Sequence, residues 1–524
     1  MCRNGFNAVV SNPPFTGGTF ISGRLGKDVL SFLGNFIAQG KTAGGRADLC
    51  SYFLLRNMAI AHAGRVGIIA TDTIAQGDTR EVGLDRAVDS GWAIYRANKS
   101  QRWPGSASLQ VSLLWTGHPQ KYEIRILDGY AAGGITSSLD PESRVSGIAR
   151  SLAASSGQSF KGCEPIGNAL ILRPDIAREM LERRLNNRAV IMPYLNADDL
   201  NSHSDCSASR WIINFGQMTE EEARRYPECW SYGEQHVLPE RLKLSASSYP
   251  GLAKRWWQYW RPRPQMWQAI ADFDRVLVIA RHSPTGMPVF VTSRQVMSDA
   301  TVVFASDRYE FLALMSSSIH FVWWTTKGES TLGAGSLRYT LTDGFETFSQ
   351  PRNIDHMRRE GEKFDTFRRT LMERRDLGLT DVYNLVNSDS EVDSEILTLR
   401  GLHADIDEAV REAYALDEER EPSIREHESM IASAPLPSWR EIPLSHGIYE
   451  TRQGKRYTIG PQARIDVLDK LLALNHYRHE LEVKQGLHSG RGRGVPRKKA
   501  ARARTDGGTA FDDGTLFKPE GTLF

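Results

Sequence analysis

Cysteine is scarce in this 524-residue chain: Cys2, Cys50, Cys163, Cys206 and Cys229, with no Cys-x-x-Cys pair among them. His203 stands three residues before Cys206, but no second ligand pair accompanies it. Neither a zinc site nor a disulfide framework is expected, and a reducing cytoplasm fits best. Long apolar runs are missing too. No stretch approaches the ~18 residues of a membrane-spanning helix, and no apolar signal segment follows Met1. An excess of one charge is absent, since 65 Lys and Arg face 63 Asp and Glu for a net charge of +2. Bulk charge therefore points to no partner. What is present is a 40% share of hydrophobic residues. That is enough to bury ordinary cores in a chain long enough for about two to four domains.

The character of the chain changes several times. From Phe6 to about Gly129, short β-rich runs ("FNAVV", "RVGIIAT", "WAIYRAN", "SLQVSLLW", "YEIRIL") alternate with helical patterns, the clearest being "ADLCSYFLLRNMAIAHA" ending at Gly64. This alternation predicts a sheet with helices on its faces. Residues 131–162 are rich in Gly, Ser and Ala and read as a linker. From about Cys163 to Pro351 the pattern is mixed β with many aromatics and turns. After Arg352 it becomes charged and helical, with apolar residues at three and four spacing in "EILTLRGLHADIDEAVREAYAL" and "ARIDVLDKLLALNHYRHELEV". The end, 486–524, holds "GRGRGVPRKKAARARTDGG" and reads as a basic, disordered tail.

Near the start stands "NAVVSNPPFTGG", an apolar run that stops at a small polar residue before Asn12-Pro13-Pro14-Phe15. A strand ending this way places Asn12 at the carboxyl edge of a sheet, where open α/β folds put their ligands. An amine conjugated to an aromatic ring is a poor nucleophile, because its lone pair is delocalised. The Asn12 carboxamide oxygen and the Pro13 carbonyl can each accept one of its N–H groups and localise that pair. Proline fixes the backbone that aims the carbonyl. Phe15 can stack on the ring of a base, a contact worth roughly 1–3 kcal/mol, once the base is flipped out of its duplex.

The "SNPPF" loop resembles motif IV of the N6-adenine DNA methyltransferases. "GGRADLCSYFLLRNMAIAHAGRVGIIATDTIAQGDTR" looks like that family's following helix, strand and loop, and "WPGSASLQVSLLW" looks like its motif VIII strand, whose preceding loop helps hold the flipped base. Farther on, "KRWWQYWRPRP", "RVLVIARHS" and "STLGAGSLRYTLTDGFETFSQP" are similar to the target recognition domain of large type IIG-like or MmeI-like restriction-modification and phage-defence methylases. "TDVYNLVNSDSEVDSEILTLRGLHADIDEAVREAYAL" is similar to the helical segment that follows it.

The resemblance implies an α/β fold: the C-terminal part of a Rossmann-like methyltransferase sheet over 1–130, a mixed α+β target recognition domain over 163–352, and a helical region over 353–485. It implies S-adenosyl-L-methionine as cofactor, double-stranded DNA as partner, and Asn12, Pro13, Pro14 and Phe15 as catalytic residues. No covalent intermediate is needed, so the lack of a Pro-Cys nucleophile is no obstacle.

The family's Gly-rich cofactor loop and the acidic residue after its second strand lie upstream of the NPPF loop, where eleven residues precede Asn12. "GTFISGRLGK" misses both dinucleotide and P-loop patterns, and "TLGAGS" falls in the recognition domain. The cofactor-binding residues stay unassigned, and a second polypeptide or a longer protein is expected to supply that half. No nuclease arrangement is found, since Pro174-Asp175 and Glu482-Lys484 are far apart.

For DNA contact the candidates are Arg255, Trp257, Arg261 and Arg263, where arginines interleave with Trp256, Tyr259 and Trp260, plus Lys327 and Arg338 around a Gly-rich loop. Two of the three tryptophans are expected to pack rather than bind. His282 is read as a structural histidine. His403, Asp405 and Asp407 are read as packing and surface, because Asp405 and Asp407 face different ways on a helix. The alternative reading is a non-catalytic DNA-binding specificity subunit. A third, an inactive remnant, predicts an exposed apolar sheet edge.

Overall fold

The computed structural model describes residues 6–39, 46–104, 109–118, 125–245, 247–327, 337–451 and 454–488. The basic tail, "TLGAGS" and part of the loop after Trp103 lie outside them.

The amino-terminal region is a six-stranded sheet in the order β1-β2-β4-β3-β5-β6. Its strands are β1 (Ala8–Ser11), β2 (Arg65–Thr71), β3 (Ala93–Arg102), β4 (Gln110–Gly117), β5 (Arg125–Leu127) and β6 (Tyr130–Ala132). β1 and β2 run parallel, Ala8 opposite Arg65 and Ser11 opposite Ile68, joined through the helix Leu49–Ala61. That connection is what parallel neighbours require, because a short turn cannot reverse the chain twice. β4 inserts antiparallel between β2 and β3. β3 carries two register shifts, and Ser100 there takes φ +53°. The helix buries Cys50, Leu54, Met58 and Ala61 against Val66, Ile68, Ala70, Ile94 and Leu114. Its last residue is followed by His62 at φ +56°. β1 has a partner on one side among the described residues, and Val10 is 84% exposed.

Two four-stranded sheets follow. One is ordered β14-β9-β10-β8, from Val296–Met297, Ile191–Leu195, Arg210–Ile213 and Ile171–Leu172. The other is ordered β13-β11-β15-β7, from Val289–Thr292, Arg275–Ala280, Thr301–Phe304 and Ser159–Lys161. β12 (His282–Ser283) pairs with β16 (Leu337–Arg338). The longest described elements after them are the helices Arg358–Arg375, Ser394–Arg420 and Pro461–Lys484. The long middle helix is capped by the Asp393 carboxylate, which accepts the amides of Glu395 and Ile396. One apolar core runs from Val145 to Leu474, so the central sheets and the helices share an interior. His403 packs inside it, its ring 4.7 Å from Phe364 and its Nε2 2.8 Å from the Tyr383 hydroxyl. Asp407 is buried and accepts the Ser318 amide.

The last helix also holds the segment that leaves the first sheet. Asp469 accepts Ser143 Oγ at 2.6 Å and pairs with Arg144, which reaches Asp466 as well. The Asn475 carboxamide exchanges two hydrogen bonds of 2.8 Å with the Arg150 backbone. Glu482 accepts the amides of Ala153 and Ala154 at 2.7 and 2.9 Å. Residues 143–154 are thus fixed along one helix by backbone hydrogen bonds that water would otherwise have to satisfy. Among the described residues no helix is long and apolar enough to cross a membrane.

Candidate catalytic loop and nucleic-acid interface

Asn12 lies one residue beyond β1, exposed, and its carboxamide has no hydrogen-bond partner among the described residues. Pro13 is buried and Pro14 exposed. The Thr16 amide donates to the Pro14 carbonyl at 2.9 Å, closing the loop into a tight turn, and the Leu49 amide donates to Thr16 at 3.0 Å. Below the loop, Asn57 on the helix donates to Ser11 Oγ at 2.6 Å.

Asp48 organises this end of the sheet. Its carboxylate accepts the Gly18 amide at 2.8 Å and the hydroxyls of Thr71 at 3.3 Å and Thr73 at 2.5 Å. Its own amide donates to Thr79 at 3.0 Å. The loop after β1, the helix start and the loop after β2 therefore meet on one carboxylate, and hydrogen bonds to an ionised acceptor are the stronger kind. Gly18 is required by this closeness, because a Cβ there would sit 2.0 Å from the Arg46 carbonyl oxygen.

Phe15 is half-buried and meets Trp103 edge to face, ring centroids 5.7 Å apart at 86°. Trp103 stands just past β3, its amide donating to Leu109 ahead of β4. The structure thus brings the NPPF loop and the segment before β4 together, 88 residues apart in sequence. Asp72, at the end of β2, accepts Ser100 Oγ at 2.6 Å and Ser112 Oγ at 3.1 Å and ties these strand ends together. Beneath them burial pushes the Cys50 thiol up to about 11. At neutral pH it is protonated and no nucleophile.

The recognition-region candidates divide. Trp257 is 6% exposed and donates its indole N–H to the Met218 carbonyl at 2.9 Å. Trp256 is 7% exposed and packs on Trp230. Trp257 therefore offers no open face to a base: its placement corrects the expectation of a DNA contact, because the indole is spent on the core. Arg255 and Arg261 are exposed, and Arg261 lies over the half-buried Trp260 ring at 4.7 Å. Lys327 faces a cavity of about 410 Å³ between the first sheet and the last helix, lined also by Lys99, Arg464 and Asp469. Burial holds the Lys327 ammonium below its usual range, with Asp469 opposing.

Arg263 and Arg338 belong to a cationic cluster with Arg281 and His282. β12 sets His282 opposite Arg338, and the Tyr339 amide donates to the Arg281 carbonyl at 2.8 Å. Burial lowers Arg281, as do the nearby charges of Arg338 and Arg263, with Asp299 and Glu164 working the other way. His282 is lowered by burial, then by Arg281 and Arg338. Arg338 Nε and His282 Nε2 are buried with no hydrogen-bond partner among the described residues. A buried unpaired donor costs about 1–3 kcal/mol, a cost that an anion docking there removes. Arg281 is hard to assign to this group from sequence, since it only closes the apolar run "RVLVIAR", one residue past β11.

Residues 148–352 match the family model of the MmeI target recognition domain. The fold resembles that of the Type IIL restriction-modification enzyme MmeI, solved in complex with DNA, with a TM-score of 0.54 and 16% identity over 90% of this chain and 57% of that one. The chain spans 57% of the length of the MmeI chain it matches, and identity this low shows a likeness of fold alone. No curated protein matches the chain. Its central region thus corresponds to an MmeI-type target recognition domain within an MmeI-like fold.

Proposed function

We propose that this chain is an adenine-specific DNA methyltransferase of a restriction-modification or phage-defence system. One observation carries the reading: Asn12, with a free carboxamide, ends a parallel strand beside the Phe15–Trp103 aromatic pair, in a chain that also matches the MmeI target recognition domain. A flipped adenine enters beside Phe15 and presents N6 to the Asn12 oxygen and the Pro13 carbonyl. These acceptors take its two protons in hydrogen bonds and leave the lone pair directed at the methyl donor. Pro14 stiffens the turn that holds them. S-adenosyl-L-methionine would supply an electrophilic methyl group on a sulfonium and leave as the neutral thioether, with the surplus N6 proton passing to solvent. Asn12, Pro13, Pro14 and Phe15 all act on the adenine side. Among the described residues one edge of β1 has no strand beside it, which supports a sheet continued by further strands, in a second polypeptide or another part of this one. A cytoplasmic setting with double-stranded DNA as partner goes with this reading.

The test incubates the purified chain with radiolabelled S-adenosylmethionine and mixed-sequence DNA, with and without the product of the adjacent reading frame. Label is counted in N6-methyladenine. Label in either arm supports the methyltransferase. DNA bound without label in both arms favours the specificity-subunit reading, which the family match over 148–352 alone would satisfy.

In the recognition region, Arg338→Ala is expected to weaken DNA binding and to reduce the slope of log affinity against log salt by about 0.9 if the contact is to phosphate. If Arg338 reads a base edge, the loss is instead about 1–3 kcal/mol and confined to the cognate site. Fluorescence anisotropy at several salt concentrations separates the two. Unchanged affinity on both kinds of DNA removes the cluster from the interface.

A further inference from the structure

We infer that His479, Glu482 and His488 form a binding site for a divalent metal ion of the zinc type. His479 and Glu482 lie three residues apart on the helix Pro461–Lys484 and so share a face. Past the helix end Gly486 takes φ +74°, a conformation that suits glycine, and the amides of Gly486 and Leu487 donate back to Val483 and Glu482 at 3.0 Å. This turn delivers His488, whose Nε2 is 2.8 Å from Glu482 Oε2. One ligand atom from each residue falls within 4.8 Å of the others, and the imidazole centroids are 4.5 Å apart. Coordination therefore needs only small side-chain adjustments.

The surroundings are those of a ligand set. His479 Nδ1 lies 3.3 Å from the Ser151 carbonyl. Donating its proton there fixes the tautomer with the lone pair on Nε2, as an outer partner does for a metal-bound histidine. Glu482 and His488 side chains are 10% and 23% exposed. The amides of Ala153 and Ala154 donate to the two Glu482 oxygens at 2.7 and 2.9 Å, so the carboxylate is oriented before any ion arrives. Two imidazoles and a carboxylate, with one position open, make a common zinc set, and the absence of thiolate disfavours Cu(I). On binding, the metal takes the place of the proton between His488 Nε2 and Glu482 Oε2, and any proton displaced passes to solvent. No metal is expected from the sequence because His488 lies beyond the helix, where periodicity carries no information.

The test uses the full chain, stripped with a chelator and titrated with Co²⁺ as a spectroscopic probe, then with Zn²⁺ in competition. Expected is one equivalent per chain, with a visible d–d band and a thermal midpoint raised by the metal. His488→Ala, which leaves the Glu482 bonds to the Ala153 and Ala154 amides in place, should weaken binding by about 100-fold, on the scale of ligand-environment losses, while the metal-free chain still unfolds in one cooperative transition. Glu482→Gln should lose the band as well. Absence of a band with the wild-type chain, or equal affinity in wild type and His488→Ala, overturns the site.

Discussion

On the proposed reading, Asn12→Ala is expected to lower methyl transfer to DNA by the complete enzyme about 100-fold or more, the loss seen when one preorganised hydrogen-bonding group is removed from a developing charge. DNA binding and the melting temperature stay essentially unchanged. The separation follows from where the residue stands. Asn12 is exposed beyond the end of β1 and gives no hydrogen bond to the fold, so truncating it should cost within about 0.5 kcal/mol of stability, as surface changes do. The loss therefore falls in kcat, because the acceptor acts most strongly as the amine becomes pyramidal. Asn12→Asp keeps an acceptor and should retain more activity than the alanine variant. Measured turnover equal to wild type for Asn12→Ala would overturn the assignment of this loop.

The largest expected change in stability comes from Lys470→Met. Lys470 is 0% exposed, and its ammonium touches Glu418 and lies 2.6 Å from Glu428. Arg425 approaches the same carboxylates at 3.3 and 3.4 Å from a more open position. Without the lysine two carboxylates stay buried with one partial partner, a loss of about 3–5 kcal/mol at neutral pH. Burial already raises Glu428, against Lys470 and its other cation, and removing the lysine raises it further. A carboxyl raised in the folded state stabilises below its unfolded value of about 4.3 and loses that contribution as pH rises through the folded value. Urea unfolding should therefore show a smaller deficit for the variant at pH 5 than at pH 7.5. A deficit independent of pH would assign the loss to packing alone.

Local patterns in the sequence are strong where one element decides the outcome. "NAVVSNPPF" becomes β1 and the loop after it, "LCSYFLLRNMAIA" becomes the helix Leu49–Ala61, and the apolar spacing of the carboxyl-terminal region becomes the helices Ser394–Arg420 and Pro461–Lys484. Periodicity suffices because each buries one face. The rest depends on distant partners. Trp257 reads as surface or core until Met218, 39 residues away, takes its indole proton. Arg338 and His282 become neighbours only through a two-residue ladder across 56 residues of chain. The place of β4 between β2 and β3 is a choice among edges that local propensity does not make. At the candidate site, the NPPF residues are legible as a motif, whereas the Asp48 carboxylate that gathers the surrounding loops is visible only in three dimensions.

The hold of the last helix on residues 143–154 has a consequence for synthesis. Asn475 and Glu482 bond to backbone 325 and 329 residues earlier. At ribosomal speeds of about 5–20 residues per second, that segment waits on the order of tens of seconds for its partner to emerge. The first sheet can assemble during this interval, while the central sheets, whose core includes residues of the same late helix, finish only after that helix has emerged. Nascent chains stalled before residue 461 should therefore remain open to proteases around residue 150 and become resistant once the helix is released.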